Sequence, residues 1–117
     1  MRHLFKVNVL VSRGKGRLVS RTYLYRIIET TDEGYIVKND HSTNKVYFTD
    51  INKPILVKST PYHIKYAMWV SENEYYASSG AKPHRNVLKH YILKEIHKYQ
   101  ESLSQLEYNL KFNQFKN

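Results

Sequence analysis

HLFKVNVLVSRGKGRLVSRTYLYRIIE, residues 3–29, decides the fold. From His3 to Val11 the residues alternate, so Phe5, Val7, Val9 and Val11 share one face of a strand and Leu4, Lys6, Asn8 and Leu10 the other. The Ser12-Arg13-Gly14-Lys15-Gly16-Arg17 stretch that follows carries two glycines, which supply the positive φ of a tight reversal. A second β-rich run, Leu18 to Glu29, completes a hairpin. It sets Val19, Arg21, Tyr23, Tyr25 and Ile27 on one side and Leu18, Ser20, Thr22, Leu24, Arg26 and Ile28 on the other. A strand this long bends or carries a bulge, as strands do where a sheet curls.

Outward from the hairpin the pattern stays β. Thr30 to Gly34 reads as a turn, Tyr35 to Lys38 as a short strand, Asn39 to Asn44 as a second turn and Lys45 to Phe48 as another strand. Pro54 opens an edge strand through Val57, and Ile64, Tyr66, Met68 and Val70 share one face of a further strand. Tyr75 and Tyr76 follow a Ser-Glu-Asn-Glu link, read as part of a further hairpin or a short helix. Residues 78–84, with Ser78, Ser79, Gly80 and Pro83, form the clearest linker. Beyond it Ile92, Ile96, Tyr99, Leu103, Leu106 and Leu110 recur at alternating spacings of four and three, the stripe of an amphipathic helix that closes the core or pairs two copies. The expected architecture is therefore α+β within one domain. A curled antiparallel sheet or small barrel of about five to seven short strands fills residues 1–77. One long helix over 85–110 follows the linker, and 111–117 fray.

The chain has no Cys, which excludes a disulfide scaffold, a thiol nucleophile and a Cys-based metal site. No apolar run approaches the roughly 18–20 residues of a membrane span, and Lys6 and Asn8 interrupt any leader-like stretch. A soluble, cytoplasmic protein without membrane contact is expected. Nineteen Lys and Arg against ten Asp and Glu give a net charge of +9 on 117 residues. Residues 1–28 alone carry +7, through Arg2, Lys6, Arg13, Lys15, Arg17, Arg21 and Arg26, with no acid before Glu29. Five of the six arginines fall there, and arginine's planar fork binds phosphate or carboxylate bidentately.

The tip Arg13-Gly14-Lys15-Gly16-Arg17 sets three cations between glycines, so its backbone can approach a phosphate closely. Eleven Tyr, with Trp69 and four Phe, supply flat faces on which unpaired bases stack beside cations. Tyr23 and Tyr25 alternate with Arg21, and Lys45 with Tyr47. The six histidines give no metal set: His90 and His97 lie seven apart, about 10 Å along a helix. No carboxylate cluster suited to Mg²⁺ is visible, and no cofactor is expected.

The leading expectation is a small, non-enzymatic nucleic-acid-binding protein, for DNA or RNA. Arg13, Lys15, Arg17, Arg21 and Arg26 would meet phosphates and Tyr23 and Tyr25 would stack on bases. A second class is a stoichiometric inhibitor, of the kind bacteriophages encode to act in the host cytoplasm, that docks a basic, Tyr-rich surface on an acidic host protein. A metal-independent ribonuclease built from His, Arg, Lys and Tyr is a lesser third.

Overall fold

The computed structural model describes residues 2–12 and 17–99. The elements run β1 (His3–Ser12), β2 (Arg17–Thr30), β3 (Gly34–Lys38), β4 (Thr43–Tyr47), a 3₁₀ turn at Phe48–Asp50, β5 (Pro54–Ser59), β6 (His63–Ser71), α1 (Glu72–Ala77), α2 (Lys82–Ile96) and a second 3₁₀ turn at His97–Tyr99. Six strands form one antiparallel sheet in the order β4-β3-β2-β1-β6-β5. The alternation read in residues 3–29 is the alternation observed. Phe5, Val7, Val9 and Val11 are buried on one face, and Leu4 is buried on the other. The long second strand carries a bulge between Ile27 and Glu29.

Each face builds its own core. Phe5, Val7, Val9 and Val11 of β1 meet Ile64, Tyr66, Met68 and Val70 of β6 beneath Leu88, Ile92 and Ile96 of α2. On the other face Leu4, Tyr25, Val37, Val46 and Trp69 form a second cluster, with Ile51 and Ile55 packed against it. Val46 on β4 and Trp69 on β6 are four strand spacings apart, about 19 Å in a flat sheet. Their sharing one cluster requires the sheet to curl, and the face carrying them is the concave side of a half-barrel. The chain after β4 completes the curl: Ile51 bridges Trp69, and the Asn52 N–H donates to the Trp69 carbonyl at 2.6 Å.

The expectation of one long helix after a linker at 78–84 is corrected to two helices. Residues 72–77 form α1, because the Ser71 hydroxyl caps its first turn by accepting from the Glu74 N–H at 3.3 Å. Tyr75 then stacks on Phe5, with ring centroids 3.7 Å apart. The linker shrinks to residues 78–81, where Ser79 (φ 63°) and Gly80 (φ 109°) take left-handed backbone. Pro83 sits inside the first turn of α2, where a missing N–H costs nothing. Of the expected helical stripe, Ile92 and Ile96 are buried and Tyr99 packs on the same core, with His84 and Leu88 extending the buried face upstream. Leu103, Leu106, Leu110 and residues 111–117 lie outside the described residues, as do Arg13 and Lys15 of the hairpin tip.

Candidate nucleic-acid interface

The strand registers fix which side chains meet on the concave face. Its closed end is the Trp69 cluster. Toward the β1–β2 hairpin the face opens, and successive rows can be read across the sheet, each about 6.8 Å from the next. The row of Tyr23, Lys6 and Trp69 borders the cluster. Next come Arg21, Asn8, Ala67 and Ile55, then Val19, Leu10, Lys65 and Lys58, and finally Arg17, Ser12 and His63. Every row holds at least one cation, and none holds an acid.

Burial separates the roles within these rows. Arg17, Arg21 and Lys58 are exposed, whereas Lys6, Lys65, His63 and Tyr23 are half-buried against the sheet. Val19 and Leu10 give the floor an apolar, half-buried middle. Lys6 extends its ammonium over the Trp69 ring, 5.2 Å from the centroid, which holds that charge at the boundary between core and open floor. At the centre, the Asn8 side-chain oxygen is buried without a hydrogen-bond partner among the described residues. Such an acceptor costs stability unless something outside the protein bonds it.

The residues singled out in the sequence divide. Arg17, Arg21 and Tyr23 share the open floor. Tyr25 lies in the same face register but is only 6% exposed; it packs edge-on to Trp69 and shares a 3.2 Å hydrogen bond with the Ser42 hydroxyl, so its ring belongs to the core. Arg26 stands on the convex face, where it lines a cavity of about 310 Å³ with His3, Lys38 and Asp40. The Lys45–Tyr47 pair forms, with the ammonium 4.9 Å from the ring, but Lys45 also donates to Glu33 at 3.1 Å. That hydrogen bond raises the pKa of Lys45.

Sequence reading missed Lys6, Lys58, Lys65 and His63 as members of this surface. Alternation already put Lys6 beside Asn8 on the polar face of β1. Lys58 and Lys65, however, come from segments with no net positive charge, and only the pairing of β5 with β6 and of β6 with β1 brings them to the floor. Among the described residues no three His, Asp or Glu side chains converge as a metal site would require, and no helix is long and apolar enough to cross a membrane.

Comparison with known proteins adds nothing to this geometry: no protein family, curated sequence or solved structure matches the chain.

Proposed function

We propose that the protein binds single-stranded nucleic acid, without catalysis of its own, on the open end of its concave sheet face. The observation that carries this reading is the acid-free floor on which Arg17, Arg21, Lys6, Lys65 and Lys58 surround an apolar middle beside Tyr23. The cations neutralise phosphates, and the half-buried Tyr23 ring offers a stacking face at the edge of the floor. A single strand fits better than a duplex, because stacking on an aromatic face needs unpaired bases.

Fluorescence anisotropy with labelled single- and double-stranded DNA and RNA tests it across about 50–300 mM salt. Arg21→Ala with Lys65→Ala is expected to weaken single-strand binding at least tenfold and to flatten the log–log salt slope by about 1.4, two contacts at about 0.7 each. Arg26→Ala, on the opposite face, is expected to leave both unchanged. Binding that ignores the double substitution would sink the sheet-face reading and move attention to acidic protein partners.

A further inference from the structure

On the convex side a second basic feature stands apart from the sheet floor. A cleft of about 270 Å³ runs between the N-terminal half of α2 and the start of β2. Its floor is Val9 and Leu18, which share one face of the β1–β2 ribbon. Lys82, Arg85 and Lys89 line it from the helix. Their spacing of three and four residues puts them on one stripe, and Leu88 and Ile92 hold that helix to β1 and β6. No acid lines the cleft, and neither Lys82 nor Arg85 has an acidic partner among the described residues. The Ser20 hydroxyl and the Asn86 amide complete the lining with neutral hydrogen-bonding groups.

We infer that this cleft is a binding site for one nucleoside 5′-phosphate, free or at the 5′ end of a strand. The volume of about 270 Å³ lies near the lower limit of small-ligand sites, about 300 Å³, the scale of a single nucleotide. Lys82 and Arg85, with Lys89 on the same helix stripe, suit a terminal phosphate monoester, which carries about −1.5 to −2 at neutral pH, better than an internal diester, which carries one charge. Half-buried Leu18, over Val9, gives the base or sugar an apolar contact, a feature that a site for bare inorganic phosphate would not need. Ser20 and Asn86 supply donors and acceptors for the sugar hydroxyls or a base edge. The inference stands independently of the sheet-floor reading, because the two surfaces lie on opposite faces of β2 and share no residue.

Amide chemical shifts of the full chain test it. Titration with adenosine or thymidine 5′-monophosphate is expected to shift the Leu18, Ser20 and Asn86 amides saturably while leaving Asn8 and Ala67 in place. Arg85→Glu with Lys89→Glu is expected to weaken that response at least tenfold, and the dispersion of the same spectra reports whether the variant is folded. Inorganic phosphate is expected to bind the same amides at least fivefold more weakly, and equal affinity would reduce the cleft to a simple anion site and overturn the proposal. A short oligonucleotide with a 5′-phosphate is expected to bind several-fold more tightly than its 5′-hydroxyl counterpart in the wild type but not in the variant. Equal binding of the two oligonucleotides together with a mononucleotide response assigns the site to free nucleotides, and no cleft response to any of these probes overturns it. Mononucleotide binding without oligonucleotide shifts at Asn8 and Ala67 removes the sheet-floor reading alone.

Discussion

Glu72 ties the start of the chain to its helical side. Its Oε1 accepts the backbone N–H of Arg2 at 2.9 Å and that of His3 at 3.1 Å, and His3 Nδ1 lies 3.7 Å away. The bond from Arg2 is the main reason the Glu72 pKa falls below its ordinary value, with the His3 N–H adding to it. A carboxyl whose pKa is lower folded than unfolded contributes fully above the usual carboxylate range, and its contribution vanishes as pH drops through the folded value. Glu72→Gln is therefore expected to lower the melting temperature at pH 7, with the gap from wild type closing below about pH 4. Thermal unfolding at pH 7, 5 and 3 checks this; a gap of constant size would show that the carboxylate charge plays no part. Nothing in the sequence announced the contact, since its partners are about seventy residues apart and only the pairing of β1 with β6 brings them together.

At the scale of elements, one hydroxyl links β5 to the end of α2. Ser59 donates to Glu95 Oε2 at 2.6 Å and lies 2.7 Å from the Tyr99 hydroxyl, and Glu95 is only 6% exposed. A buried carboxylate stripped of a donor bears an unmet desolvation cost, so Ser59→Ala is expected to destabilise by about 1.5–3 kcal/mol and Ser59→Thr by much less. Urea unfolding measures the difference, and a loss below about 0.5 kcal/mol would mean that the other contacts of Glu95 suffice.

β1 was legible because its burial alternates residue by residue from Phe5 to Ser12; in β6 both faces are buried from Tyr66 to Val70, and its bounds were read from the run of β-forming residues. The helices were less so. Six residues are too few for a periodic signal, and the link before Tyr75 hid the start of α1, although Ser71 followed three residues later by Glu74 is a capping pattern. Pro83 reads as a breaker in a linear scan, but it is a good first-turn residue once a helix begins beside it. Glu95 escaped for a different reason: a lone acid on a basic helix looks solvated until the strand that carries Ser59 is placed against it.

Over the whole molecule, charge on the concave face is sorted along the strand direction, whereas on the convex face Arg26 and Lys38 stand at the end where the acids gather. Glu29, Asp32 and Glu33 follow the Tyr25 end of β2, and Glu72 and Glu74 follow the Ser71 end of β6. The basic rows occupy the opposite end of the concave face. The body measures 45 × 26 × 24 Å, so the two signs have room to separate. Segment arithmetic found the N-terminal excess but could not divide it between faces. It credited Arg26 to the surface that Arg21 defines, and it passed over Lys58 and Lys65 because residues 29–60 sum to −1 and 61–84 to zero. Charge along a chain becomes a surface only through register, which no count contains.

The register also leaves something open. β3 meets β2 only from Arg26 onward, so Arg17–Tyr25 have no strand on that side among the described residues. Such an edge invites a second copy to add itself, and flanking charges are what deter it. Arg17→Ser with Arg21→Ser is therefore expected to produce concentration-dependent association, read by sedimentation velocity, whereas Arg17→Glu with Arg21→Glu is expected to keep the protein monomeric while removing the two cations proposed to meet phosphate. On the proposed reading, the two arginines serve binding and solubility at once. A lineage that abandoned the ligand would still have to keep charge at these positions to stay in solution, and its sequence would go on advertising a binding face after the binding had gone.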